Sequence, residues 1–177
     1  MVGCNKVSSN PEPATTNSSE PPNSTELPAT SNPSTEVPIV NSEEKVFPIE
    51  IGTYSLDELF SAGGGGCGMT LWEADTNFRE DGGLFFSGGT DQGVGKTLIV
   101  LDGEFVTLTR TAASGEEFYG QQTSQTFATE DGAVSIDVDV ALGKPGEIES
   151  VNIPQGTLKI EAQGQTKEIP VVGDAGC

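Results

Sequence analysis

From residue 46 onward, short apolar runs alternate with turns that carry glycine. The clearest run sets Val134, Ile136, Val138 and Val140 between Ser135, Asp137 and Asp139. Alternation with a period of two predicts a strand with one buried and one solvated face. Three tight hairpins are read from the same pattern. Leu98 to Leu101 meets Phe105 to Leu108 across Asp102-Gly103, a pair that tolerates the positive φ of a two-residue turn. Gln125 to Ala128 passes through Glu130-Asp131-Gly132 into Val134 to Val140, and Thr157 to Ala162 returns through Gln163-Gly164 into Lys167 to Val171. Pro170 has no backbone donor, which places the last strand at a sheet edge or ends it there. Upstream strands are expected over Val46 to Ile51, Met69 to Glu73 and Leu84 to Ser87. Ser55 to Phe60 reads as a helical turn or two, with Ser55 as cap and Glu58 completing a capping box. About eight or nine short strands in residues 46–177 predict an all-β fold, a small antiparallel barrel or sandwich. Trp72, Phe85 and Phe86 are candidates for its core.

Residues 1–45 have a different texture. Ser, Thr, Asn, Pro and Glu dominate from Asn5 to Lys45, and aromatics are absent. Such a segment buries too little apolar surface to offset the entropy of ordering it, so it is expected to be a disordered tether. Its prolines favour extended polyproline geometry, with a reach on the order of 120 Å at ~3.1 Å per residue. Two domains of description follow: a tether over 1–45 and a single β domain over 46–177.

Charge narrows the function. Eight Lys and Arg face 27 Asp and Glu, there is no His, and the formal net charge is −19. Phosphate recognition rests on clustered Lys and Arg, so no nucleic-acid partner is expected. A cationic envelope protein is the partner that this charge would suit, although acidity also serves solubility alone. Without His there is no Ser-His-Asp triad, Cys-His pair or His-bearing zinc site. Gly93-Val94-Gly95-Lys96-Thr97 imitates the end of a phosphate-binding loop, but Thr90 stands where its first glycine belongs. A strand also follows where such a loop must open a helix, so no nucleotide is expected. Asp137 and Asp139 read as a solvated strand face, since a calcium site needs six or more converging oxygens, usually from a loop. Gly63 to Gly66 reads as a flexible connector. No catalytic residue, metal ligand or cofactor is assigned.

The three cysteines are Cys4, Cys67 and Cys177. Cys67 and Cys177 bracket almost the whole domain, and in an oxidising compartment they are expected to pair. The opening Val2-Gly3-Cys4, followed at once by a long polar run, resembles the end of a bacterial lipobox. The resemblance implies that Cys4 carries a lipid. It also implies an exported protein held on the bilayer of the bacterial envelope, at the outer membrane or cell surface.

A second resemblance starts at Leu101-Asp102-Gly103-Glu104-Phe105-Val106-Thr107-Leu108 and continues through Ala113-Ser114-Gly115-Glu116-Glu117-Phe118-Tyr119. This stretch is similar to the membrane-bound inhibitors of c-type lysozyme, small disulfide-bearing β-barrel lipoproteins. The resemblance implies a partner-binding loop made of Ser114, Gly115, Phe118 and Tyr119. The chain departs from the family at its second motif, because Phe127 to Gly132 contains no Lys. The functional expectation is therefore a non-enzymatic binding or structural domain of the envelope. An inhibitor of a cationic hydrolase such as lysozyme is the first alternative, and a small carboxylate-based hydrolase the second.

Overall fold

The computed structural model describes residues 46–90, 93–146 and 148–177. The expected tether and Cys4 lie outside them. The described residues belong to one compact unit. Its strands are β1 (Ile51–Gly52), β2 (Gly68–Glu73), β3 (Phe85–Thr90), β4 (Gly93–Leu101), β5 (Glu104–Phe118), β6 (Gln121–Ala128), β7 (Val134–Ala141), β8 (Ser150–Ala162) and β9 (Gln165–Gly176). Two short helices, α1 (Leu56–Ser61) and α2 (Phe78–Asp81), lie among the first strands.

Every strand from β2 to β9 pairs antiparallel with its sequence neighbours, and β9 returns to pair with β2. The result is a closed eight-stranded meander barrel, with β1 added on the outer edge of β4. Closure removes the free edges that a sandwich would have left. The closing seam sets Gly68 opposite Gly176, and the next residue outward on each strand is a cysteine. Cys67 and Cys177 form a disulfide there, with Cα atoms 4.0 Å apart.

The alternation read along β7 is the one observed. Val134, Ile136, Val138 and Val140 are buried, while Asp139 is exposed and Asp137 half-exposed. Asp137 accepts a hydrogen bond from Thr126 at 2.8 Å and lies 3.7 Å from the Lys159 ammonium on β8. The barrel interior is filled by side chains, among them Met69, Phe85, Phe127, Ile136, Leu158 and Ile160. Phe85 and Phe127 meet edge-on with ring centres 5.2 Å apart.

β4 is buried over five successive residues, Thr97 to Leu101, because both its faces are covered. Ile99 and Leu101 point into the barrel, and Leu98 and Val100 point out beneath a second cluster built from Tyr54, Leu59 and Phe86. α1 supplies Leu59 to that cluster. Its start is the expected capping box: Glu58 Oε2 accepts from the Ser55 amide at 2.8 Å, and Ser55 Oγ accepts from the Glu58 amide at 3.4 Å. Of the three core candidates, Phe85 lies inside the barrel, Phe86 lies in the outer cluster, and Trp72 is half-buried against Phe78.

Three expectations need correction. The strand read over Val46 to Ile51 shrinks to Ile51–Gly52. Asp102 brackets Glu50 instead, donating its amide to the Glu50 carbonyl and accepting the Glu50 amide on Oδ1, both at 2.8 Å. Phe47 and Ile49 dock on the barrel core as side chains rather than through a ladder. β9 is not an edge strand, since it pairs with both β8 and β2. Pro170 is accommodated at the end of the β2 ladder: its carbonyl accepts from the Ala74 amide at 3.0 Å, β2 ends at Glu73, and only the return bond of that last pair is missing. Finally, the segment read as a loop at Ser114 is strand through Phe118, as described next.

Candidate functional site

The hairpin of β5 and β6 reshapes the expected Ser114 loop. Its turn is Tyr119-Gly120, with φ of 43° and 77°, between the paired Phe118 and Gln121. Ser114 and Gly115 are exposed at a bulge between Ser114 and Glu117. Gly115 has φ of 92°, and a Cβ there would lie 2.1 Å from Thr123 Oγ1. The Glu116 amide donates to that hydroxyl at 3.0 Å. Phe118 turns inward and is buried in the barrel core, with Tyr119 half-buried against it. Of the four residues, Ser114 and Gly115 are free to meet a partner, and Phe118 is committed to packing.

The Gly-Lys-Thr run opens β4 as a strand. The Lys96 ammonium donates to the Ala62 carbonyl at the end of α1. No helix N-terminus follows Thr97, and the run lacks the geometry that gathers phosphates. Gly63 to Gly66 connects α1 to β2, as expected. Among the described residues, no group of three or more His, Cys, Asp or Glu is placed to hold a metal ion.

A meander sends alternate turns to the same end of the barrel. The β4–β5 turn at Asp102-Gly103 and the β6–β7 turn at Glu130-Asp131-Gly132 therefore share one end, where they border a groove of about 660 Å³. Ile49, Leu101, Val106 and Val134 give it an apolar floor. Asp102, Glu104, Glu130 and Asp131 form its rim, and no Lys or Arg lines it. Asp131 is held ionised: the Ala133 amide and the Thr129 hydroxyl donate to its carboxylate at 3.0 and 2.7 Å, which lowers its pKa below the usual carboxylate value.

A second groove, of about 740 Å³, lies outside the barrel between the two short helices. Leu56, Phe78, Arg79, Glu80 and Asp174 line it with Tyr54. Two of its acids are engaged locally, Glu58 by the α1 cap and Asp81 by the Asn77 amide at 2.8 Å. Burial raises the pKa of Asp174 above that of a free aspartate.

Beneath this groove Tyr54 is 1% exposed, and its hydroxyl has no hydrogen-bond partner. Burial pushes the phenol above its ordinary pKa, so it stays neutral. Its ring lies against Gly83, where a Cβ would sit 2.6 Å from ring atoms. An orphan buried hydroxyl costs about 1–3 kcal/mol of desolvation. Tyr54→Phe is expected to stabilise the domain by about 1 kcal/mol, seen as a higher urea midpoint at unchanged slope. A lower midpoint would mean that the hydroxyl has a partner in solution.

No protein-family model, no curated protein and no solved structure matches this chain.

Proposed function

We propose that the barrel is a non-enzymatic binding module, tethered through Cys4 to the bilayer of the bacterial envelope, that takes a cationic partner at the groove between the β4–β5 and β6–β7 turns. The observation that carries this reading is the lining itself: four carboxylates and four aliphatic side chains, with no base among them. An apolar floor contributes affinity by losing water, and an acidic rim speeds encounter and selects the sign of the partner. A segment that alternates apolar and basic residues would satisfy both. The net charge of −19 extends that attraction over the whole molecule. Pairing of Cys67 with Cys177 supports an oxidising compartment, as expected of an exported protein.

The filled barrel favours binding over hydrolysis, because two acids acting on a sugar need a cleft that holds the ring between them. The lysozyme-inhibitor reading keeps one support, the exposure of Ser114 and Gly115. It loses Phe118, which is buried.

The test is a titration of the intact disulfide-bonded chain with a synthetic amphipathic peptide bearing Lys and Leu, and with a c-type lysozyme, at two salt concentrations. Binding is expected to weaken with salt, because rim charges are screened over about 8–10 Å. Glu104→Lys with Glu130→Lys is expected to weaken it by at least tenfold, since each rim reversal replaces an attraction with a repulsion. Unchanged affinity in that variant would remove the groove as the site.

A further inference from the structure

At the end of the barrel opposite the acidic groove, β3 to β6 carry a buried polar cluster beside the apolar core. Arg110 pairs with Phe127 across β5 and β6 and so shares its inward face. Gln125 and Gln121 follow Phe127 at even spacing on the same face, and both are buried. Facing them across the mouth, Ser87 and Thr97 are also buried, with their hydroxyls 3.1 Å apart. Beyond the bulge after Ser87, Gly89 on β3 pairs with Val94 on β4, which packs on the barrel core between Gly93 and Gly95. Ser87, Thr97, Gly89 and Val94 thus face the longer polar side chains of β5 and β6.

The hydrogen bonds fix what these polar groups still lack. Arg110 Nη1 donates to the Gly120 carbonyl at 3.3 Å and to Gln125 Oε1 at 3.0 Å. Gln121 Nε2 donates to the carbonyls of Ser87 and Gly88 at 3.2 and 3.1 Å. These partners set the orientation of both amides. They leave Gln125 Nε2 as a buried donor and Gln121 Oε1 as a buried acceptor, each without a partner. Among the described residues, no carboxylate forms an ion pair with Arg110. Burying unpaired donors and acceptors costs free energy that an apolar filling would avoid.

The mouth is covered by the tip of the β5–β6 hairpin. The tip packs backbone against backbone: a Cβ on Gly89 would lie 2.2 Å from the Tyr119 carbonyl oxygen, and one on Gly120 would lie 2.8 Å from that of Gly93. β5 pairs with β4 only as far as Leu108, and beyond it with β6 alone. Two bulges, Arg110 to Ala112 and Ser114 to Glu117, bend the hairpin between the barrel wall and the tip.

We propose that this mouth binds a small carboxylate that also carries a hydroxyl or ammonium group, with the hairpin tip as its lid. Arg110 and the free Gln125 Nε2 donate to the carboxylate, and Gln121 Oε1 accepts from the ligand's own donor. The ligand takes the space against Gly89 that the Tyr119 backbone vacates when the tip lifts. A guanidinium beside an amide donor suits a planar carboxylate.

The probe is lactate, compared with propionate, which has the same length and no hydroxyl. Both are added to the intact chain at constant ionic strength and followed by the NMR signals of the Arg110 side chain, the two glutamine amides, and the Gly89 and Gly120 amides. Lactate is expected to give saturable shifts at all of these, with roughly fivefold weaker binding for propionate. Replacing Arg110 would also remove an anchor of the tip, so the variant is Gln125→Glu. It is isosteric and sets a carboxylate on Arg110 in place of the ligand's. It is expected to keep the fold and lose lactate binding. Two results would overturn the proposal: no saturable shift through about 10 mM lactate, which would leave ordered water as the partner of these groups, or equal lactate binding in Gln125→Glu.

Discussion

Replacing Cys67 and Cys177 together by serine is expected to lower the unfolding free energy by about 4–5 kcal/mol, the largest effect of any change considered. The two cysteines are 110 residues apart in sequence and close the loop that contains every strand of the barrel. In the chain-entropy description, the bond restricts the unfolded chain, and the restriction grows with the logarithm of loop length. The bond also sits on the β2–β9 seam, next to the paired Gly68 and Gly176, where the ladder is made of small residues. In the serine variant, the amides of β2 and β9 at this end are expected to exchange with solvent ahead of those in β7 and β8. Denaturant unfolding with and without reductant checks the first part, and native-state hydrogen exchange the second. A loss below about 1 kcal/mol would mean that the unfolded chain is already compact or that the seam closes without the bond.

Phe127→Ala is expected to cost about 3–5 kcal/mol, and Phe127→Leu well under half of that. Phe127 is fully buried, faces Phe85 edge-on, and lies opposite Ile136 on one neighbour and Arg110 on the other. It lies between the aliphatic interior and the buried Gln125 and Gln121 of its own strand. Its removal leaves a cavity that the closed wall cannot collapse to fill. Thermal or denaturant unfolding measures the loss. A cost below 1 kcal/mol would indicate a hollow barrel, with Phe127 lining a cavity rather than filling the core.

Much of the barrel was legible because its hairpins are local. Asp102-Gly103 and Gln163-Gly164 carry positive φ at both turn residues, as such dipeptides suggest. Tyr119-Gly120 adopts the same turn but was hidden, because tyrosine seldom occupies a left-handed position. Missing that turn made β5 look as though it ended in a loop at Ser114. β8 and β9 also proved longer than their apolar runs. Pro154 and Gly156 interrupt the first at a bulge, and Gly173 interrupts the second. Gly173 is a strand residue set close to its neighbour: a Cβ there would lie 2.1 Å from the Thr70 carbonyl oxygen on β2. A glycine forced by close approach looks, in sequence, like one that ends a strand.

The candidate sites were less legible, for a topological reason. Asp102, Glu104, Glu130 and Asp131 belong to two turns that were both recognised, yet only the meander order brings them to one end. The parity of turns in an all-next-neighbour barrel was the available signal. The polar mouth gave no such sign. Arg110, Gln121 and Gln125 look like surface residues until the pairing of Arg110 with Phe127 turns that face inward.

The measurement that tests the central claim most directly is an amide chemical-shift map of the intact, disulfide-bonded chain titrated with the Lys- and Leu-bearing peptide. The account predicts saturable shifts concentrated in Leu101 to Thr107 and Thr129 to Val134, reduced by salt and absent from the Glu104→Lys, Glu130→Lys variant. Shifts centred instead on Ser114 to Gly120, or none at all, would contradict it.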